Sequence, residues 1–433
     1  MDNSPTTQLT SEWVERPISS FFVRNVSGEW GSEPTNENSP QVVGTPDFNN
    51  DGTITWDQVK RRDITLAKLK TRLLSAGNIL VEKSGGSDDQ PAGRVVYCDR
   101  TVRGTCSNFV QLLTVDERLH SRFIFYLLYY HYKMGLVYPF QQKTTGIINF
   151  KINQYFQTRI CLPKSFEEQS AIADILSTVD EAIEKSEVLI AKLTRVKQGL
   201  MHDLLTRGID EKGDIRTETT HKFKNSPLGR IPEEWDVSLL DRLALRGSGH
   251  TPDKSHAEYW NGGIKWVSLA DSDKLDHIYI SETAKEISKS GLRHSSAVLH
   301  PAGTVILSRD AGVGKSAILK TTMAVSQHFM AWRCGAKLNN RYLYYWLQRD
   351  KRRFEGIAFG STIPTIGLPF FKQYSIAVPV SLREQELIVE RLLSAEAAIQ
   401  ADEAHRDKLL ALKRGLMEDF LSGKVRVTNL LKH

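Results

Sequence analysis

Cysteine is scarce in this chain of 433 residues, and its four copies do nothing in concert. Cys98, Cys106, Cys161 and Cys334 form no CxxC pair and no Cys/His spacing of the kind that builds a tetrahedral zinc site. No metal is therefore expected, and a reducing, cytoplasmic setting fits best. Long apolar runs are missing too. The longest aromatic and apolar stretch, Phe123 to Tyr132, is about half what a membrane span requires. The polar, acidic opening residues lack the basic start and apolar centre of a signal peptide, so neither a leader nor a membrane partner is expected. Catalytic equipment is equally thin. There is no glycine-rich cofactor loop between strand and helix, no Asn-Pro-Pro-Tyr-like element for methylating a flipped base, and no acid cluster suited to phosphodiester cleavage. The expectation is a non-catalytic chain with no cofactor of its own.

What is present is an ordinary globular composition, 40% hydrophobic and 25% charged, over a length that favours two or three domains. The 57 Lys+Arg against 51 Asp+Glu give a formal charge of +6, a mild basic excess that suits a polyanionic partner and decides nothing alone.

Comparing the chain with itself is more informative. The stretch Leu162-Pro163 through Glu168-Gln169 returns as Val378-Pro379 through Glu384-Gln385, at an offset of 216 (379 minus 163). That offset persists to Gly199-Leu200-Met201 against Gly415-Leu416-Met417. Upstream the likeness is fainter but keeps its order. Glu12-Trp13 faces Glu234-Trp235, Ala76-Gly77 faces Ala302-Gly303, and Arg122 to Leu128 faces Arg341 to Leu347. The drift of the offset marks insertions in surface loops of a duplicated unit.

In each copy Pro-x-Ser-x-x-Glu-Gln reads as a helix start, with Ser165 or Ser381 capping and Glu168 or Glu384 completing a capping box. A long helix follows, its apolar residues spaced by three and four. The stripe runs through Ile172, Leu176, Val179, Ile183, Leu193 and Leu200 in the first copy, and Ile388, Leu392, Ile399, Leu409 and Leu416 in the second. Ser186, Lys197, Asp402, Arg406 and Lys413 interrupt it. A helix of roughly 60 Å, at about 1.5 Å per residue, needs a partner along its length. The other copy has the same period, and a two-fold relation makes the pair antiparallel. The alternative, each helix packing only on its own domain, leaves most of the stripe uncovered.

The fold class expected is α/β (mixed α+β): two similar recognition domains joined by a pair of long antiparallel coiled-coil helices about a pseudo-two-fold axis. Domain one takes 1–160, the first helix 161–207, a polar linker 208–228, domain two 229–377 and the second helix 378–433. Two similar but non-identical domains on a stiff spacer suit the reading of two half-sites on a duplex.

The chain resembles, over almost its whole length, the specificity subunits of type I restriction-modification enzymes. The carriers are Ser226-Pro-Leu-Gly-Arg-Ile-Pro-Glu-Glu-Trp235, Leu307-Ser-Arg-Asp-Ala-Gly-Val-Gly-Lys315, Gly360-Ser-Thr-Ile-Pro364, and the Glu-Gln helix start in both copies. The first copy departs from this pattern, with Glu82-Lys83-Ser84-Gly-Gly86 at the mid-domain position and Lys143-Thr144-Thr145 where Gly-Ser-Thr would stand. The resemblance implies two target recognition domains on double-stranded DNA. It also implies a helical spacer docking two copies of a DNA methyltransferase (modification) subunit, and association with a restriction and translocase subunit.

Reading DNA takes Arg, Lys, Asn, Gln, Ser or Thr on rigid loops, with more Lys and Arg on phosphates. In domain one the candidates are Lys60, Arg61, Arg62, Lys83, Arg94, Arg100, Arg103, Lys143, Thr144 and Thr145. In domain two they are Arg309, Lys315, Arg349, Lys351, Arg352, Arg353, Ser361 and Thr362. Any single one has a bland alternative, solvating a helix face, so the expectation rests on the set. Trp260, Trp266, Tyr344 and Trp346 sit in apolar patterns and read as core.

Two tempting motifs are set aside. Ala311-Gly-Val-Gly314-Lys315-Ser316 resembles a phosphate-cradling loop, but its first glycine would have to be Arg309. Asp47 to Gly52 opens like a calcium loop, yet its twelfth position is Gln58 rather than a bidentate Glu, so a turn before a strand is expected instead.

Overall fold

A computed structural model describes residues 12–428 apart from Asp88, Thr145 and 361–363. The chain divides into two compact units, Met1–Glu187 with Ala404–His433, and Val188–Glu403. The duplication seen in the sequence is a duplication of structure, and each unit is mixed α and β.

Unit one opens with a five-residue strand, Trp13–Pro17, antiparallel to Arg159–Pro163 with Trp13 opposite Pro163. Its central sheet runs in the order Phe22–Ser27, Val110–Val115, Ile79–Glu82, Val95–Tyr97. Ile79–Glu82 is buried throughout, as an inner strand covered on both faces must be. A second sheet pairs Gln41–Val43 with Lys60–Arg61 and, in parallel, with Gly104–Cys106.

Unit two repeats this plan. Trp235–Leu239 pairs with Ser375–Pro379, Trp235 opposite Pro379. Its first sheet runs Ala244–Ser248, Phe329–Cys334, Val305–Ser308, Ser316–Leu319, with Tyr279–Ile280 added at the edge. The second contains the parallel pair Trp260–Val267 and Met323–Val325. Trp266, Tyr344 and Trp346 are buried as expected, while Trp260 is only partly covered. In unit one the Asp47–Gly52 segment forms a turn closed by the Phe48–Ile54 bridge, and the Asp51 carboxylate accepts from the Thr53 amide and hydroxyl.

The long helices cover Phe166–Arg207 and Leu382–Leu421. Within unit one, Asp180 of the first faces Lys413 of the second at 2.6 Å, and Glu168 faces Arg426 beyond the second helix's end at 2.6 Å, so the two run antiparallel. Within unit two, Lys197 meets Glu396 at 3.2 Å in the same sense. Two of the residues that interrupt the stripe, Lys197 and Lys413, thus pair across it. Asp180 and Glu396 differ by 216, as do Lys197 and Lys413, so the two ion pairs are duplicates of one another. A tyrosine from each unit's mid-domain helix, Ser121–Lys133 or Asn340–Arg349, donates to the same acid: Tyr126 to Asp180 at 2.7 Å and Tyr345 to Glu396 at 3.0 Å. Along the stripe Ile172, Leu176, Val179, Ile183, Ile388, Leu392 and Ile399 are buried, and Leu193, Leu200, Leu409 and Leu416 are half-buried.

The helix starts depart from the expected capping box. Ser165 Oγ does accept from the Glu168 amide at 3.2 Å, but the Glu168 carboxylate turns to Arg426, at 2.6 and 2.7 Å. Glu384 likewise takes Arg216, from the segment following the first helix, together with the Trp235 indole at 3.0 Å and the Ile209 amide at 3.2 Å. Gln169 and Gln385 have their own repeated task. Each donates to the carbonyl of Pro163 or Pro379 and accepts from the amide of His120 or Asn339, where the mid-domain helix begins. The Glu-Gln motif is a pair of long-range clamps.

Candidate nucleic-acid interface

The two segments singled out in each copy meet in space. In unit two the Arg309 carbonyl accepts from the Ile366 amide at 2.9 Å, Asp310 bridges Thr365, and the Ala311 amide reaches the Pro364 carbonyl at 3.3 Å. In unit one the Lys83 carbonyl accepts from the Phe150 amide at 2.7 Å. Ser84–Gly86 pairs with Ile147–Phe150, itself the second strand of a hairpin with Gln141–Thr144. Lys83 and Arg309 differ by 226, and Phe150 and Ile366 by 216, the same offsets found along the sequence. One backbone junction is therefore built twice, and its side chains differ between the copies.

The basic candidates in unit one separate into inward and outward groups. Arg94 faces inward: it grips the fully buried Glu82 through two bonds, 2.9 and 3.0 Å, and donates to the Thr45 and Phe48 carbonyls. Burial opposes its charge and Glu82 more than offsets that, leaving its pKa raised. Arg62 lies over the Trp30 ring and pairs with Glu33. Lys83 donates to Ser27 Oγ at 2.6 Å, and burial lowers its pKa. Arg100 pairs with Asp99 over Trp56 while remaining half-exposed. Lys60 and Arg61 are exposed on their short strand, Arg61 touching the Ser39 carbonyl. Arg103, Lys143 and Thr144 are exposed too, and Thr144 Oγ1 donates to the Ile147 carbonyl.

Unit two shows the same division. Arg349 stacks on Trp346 at 3.8 Å, pairs with Asp350, and donates to the Leu205 carbonyl in the last turn of the first long helix. Lys351 is held by Asp276 at 2.5 Å, and Arg309 leans on Asp310 at 3.3 Å. Lys315 sits in the phosphate-loop lookalike, where Ala311, Gly312 and Gly314 all have positive φ. Its ammonium donates to the Ser272 carbonyl at 2.9 Å, so the loop's lysine ties down its own fold. Arg353 is half-exposed beside Asp350, and Arg352 is exposed. Thr145, Ser361 and Thr362 lie outside the described residues.

Sequence reasoning missed the Asp310–His328 pair, Nδ1 to Oδ2 at 2.7 Å, which fastens a neighbouring turn to this junction. The only signal for it was the offset of 219 linking Ser326-Gln327-His328 to Ser107-Asn108-Phe109. Among the described residues no helix is long and apolar enough to cross a membrane.

Comparison with known proteins agrees with this architecture. Residues 11–195 and 232–410 match the family model described as the type I restriction modification DNA specificity domain. The specificity subunit of the type I restriction enzyme MjaVIII from Methanocaldococcus jannaschii is 28% identical over 319 residues, 70% of this chain and 71% of that protein. That of MjaIX from the same organism is 31% identical over 176 residues, 40% of each chain. Among solved structures, a chain from a type I R-M system, studied for complex assembly and conformational transition, aligns over 96% of this chain and 100% of its own, with a TM-score of 0.60 at 17% identity. The S subunit of a type I restriction-modification system from M. genitalium aligns over 96% and 97%, with a TM-score of 0.55 at 15% identity. At such identities the structural likeness concerns the fold, and the family match concerns the chain's role. The chain belongs to the type I restriction-modification DNA specificity family, as a specificity subunit that carries two of these domains.

Proposed function

We propose that each unit reads one half of an asymmetric two-part site on double-stranded DNA, and that the long helices set the gap between the halves. The observation that carries this reading is the junction built twice. A common backbone holds Lys83 against Phe150 in one copy and Arg309 against Ile366 in the other, in segments whose side chains differ. Shared backbone with divergent side chains gives two half-sites that are read alike in geometry and unlike in sequence. Phosphate contacts fall to the exposed Lys60, Arg61, Arg103, Lys143 and Arg352, with Thr144 on the adjoining hairpin loop; Thr145, Ser361 and Thr362 join this set on the sequence pattern alone. The inward-facing cations, Arg62, Lys83, Arg94, Arg309, Lys315, Arg349 and Lys351, hold those loops rigid, and Arg100 and Arg353 stand between the two groups.

The chain performs no chemistry itself in this reading. It places two methylating subunits and a restriction and translocation subunit on the site. Support for docking on the helices comes from apolar side chains left exposed there: Val188, Leu189 and Val196 on the first, Leu410 and Leu412 on the second. The test is to co-express the chain with its methylating subunit and sequence the methylated sites. A two-part sequence with a fixed gap is expected. Methylation without sequence preference, or at a single uninterrupted site, contradicts the reading.

A further inference from the structure

Beside each junction stands a tight turn that is also built twice. In unit one the Val110 amide donates to the Ser107 carbonyl at 3.0 Å, placing Asn108 and Phe109 at the tip. In unit two the Phe329 amide donates to the Ser326 carbonyl at 3.2 Å, placing Gln327 and His328 there. Each turn is fastened from three sides. The serine amide bonds the parallel strand, Ser107 to Val43 at 2.8 Å and Ser326 to Val267 at 2.9 Å. The second tip residue's carbonyl accepts from the junction, Phe109 from Lys83 at 2.8 Å and His328 from Arg309 at 2.9 Å. Finally a glycine packs against the strand end before the turn. A Cβ on Gly28 would lie 2.0 Å from the Cys106 carbonyl oxygen, and one on Gly249 would lie 1.6 Å from that of Val325.

Rigid backbone here carries side chains that reach solvent. Asn108, Phe109 and Gln327 are exposed, Phe109 by 48%, and the His328 side chain by 31%. A turn tip in water is normally filled by Gly, Asn, Asp or Ser, and an exposed phenylalanine gains nothing there from burial. Both copies keep the same chemical order nonetheless: an amide, then a flat ring. The second copy orients both. Thr251 donates to Gln327 Oε1 at 2.6 Å, Asp310 at His328 Nδ1 fixes the ring, and the Gln327 amide nitrogen lies 3.5 Å from His328 Nε2, so the two tip side chains are held side by side.

We propose that these two tips are specificity-determining elements, Asn108-Phe109 for one half-site and Gln327-His328 for the other, each offering an amide to a base edge and a ring to its neighbour. This rests on the two-half-site reading above. An Asn or Gln amide matches the paired donor and acceptor of adenine, whereas a carboxylate in the same place accepts from cytosine. Rings suit the thymine methyl group or, for His328, a further hydrogen bond.

The experiment uses the chain assembled with its methylating subunit, acting on a library randomised at every position. The isosteric variants N108D and Q327E are each expected to lose roughly tenfold or more of the parental preference at one position. Each should do so in one half-site only, with adenine giving way to cytosine, and the untouched half reports that the complex still folds and assembles. F109L and H328N, the second variant at each tip, should relax an adjacent position of the same half. Among variants that melt with the parent, unchanged preferences in both halves overturn the proposal. A parental complex with no two-part preference would instead overturn the reading on which it rests, so the two failures are distinguishable.

Discussion

Glu168 and Glu384 begin equivalent helices and are clamped by equivalent arginines, yet their surroundings differ. Glu384 holds Arg216, the Trp235 indole and the Ile209 amide together. Glu168 holds Arg426, which also reaches Glu12, while the Trp13 indole has no hydrogen-bond partner among the described residues. The junction at 83 and 309 varies far more, with Lys and Ser in one copy where Arg and Asp stand in the other. Duplication has kept the clamps that start each long helix and has changed the side chains of the junction.

Removing a helix-start clamp should have the largest effect. Glu384→Ala strands a buried guanidinium and an indole, and breaking such a pair typically costs about 3–5 kcal/mol. Glu168→Ala should cost less, since it frees no indole. Urea titration of the full chain checks the order, and equal losses would show that the surroundings do not matter. Next come the turn glycines. Gly249→Ala and Gly28→Ala drive a methyl into backbone carbonyls and should each cost about 1–3 kcal/mol, Gly249 at least as much as Gly28. Two unchanged melting temperatures would mean that the turns shift freely.

Acid separates the units more gently. Burial pushes the His131 imidazole of unit one down to about 4 from an ordinary value near 6.5, whereas Asp350 stands at the matching place in unit two. A depressed histidine contributes stability above pH 6.5 that is lost as pH falls towards 4, because the unfolded chain then binds the extra proton. Hydrogen exchange in Ser121–Lys133 should accelerate over that range, after correction for the intrinsic pH dependence of exchange, and more than in Asn340–Arg349. Equal behaviour of the two helices would exclude His131 as the cause. Smallest of all, Lys60→Ala and Arg352→Ala should each lower the salt slope of DNA binding by about one without changing the preferred sequence. A changed sequence would make either residue a reader instead.

Much of this was legible in the sequence, and the rest was hidden for definable reasons. The long helices and the duplication show through because a three-four spacing and a constant offset are local properties. Trp266, Tyr344 and Trp346 were placed in the core by their apolar neighbours. The roles of Glu168 and Glu384 were not visible, because their partners lie 258 and 168 residues away and a capping box is the nearest local explanation. Nor can sequence tell Arg94 from Lys60. Both are cations in the same domain, and only the buried Glu82 carboxylate turns one of them inward.

The central claim is that the two copies read separate half-sites at a distance set by the helix pair. Inserting one heptad at matched places in Phe166–Arg207 and Leu382–Leu421 keeps both apolar stripes in register and adds about 10 Å. Sequencing of the sites methylated by the assembled complex should then show both half-sites unchanged and the gap lengthened by roughly three base pairs, at about 3.4 Å each. An unaltered gap would contradict the account.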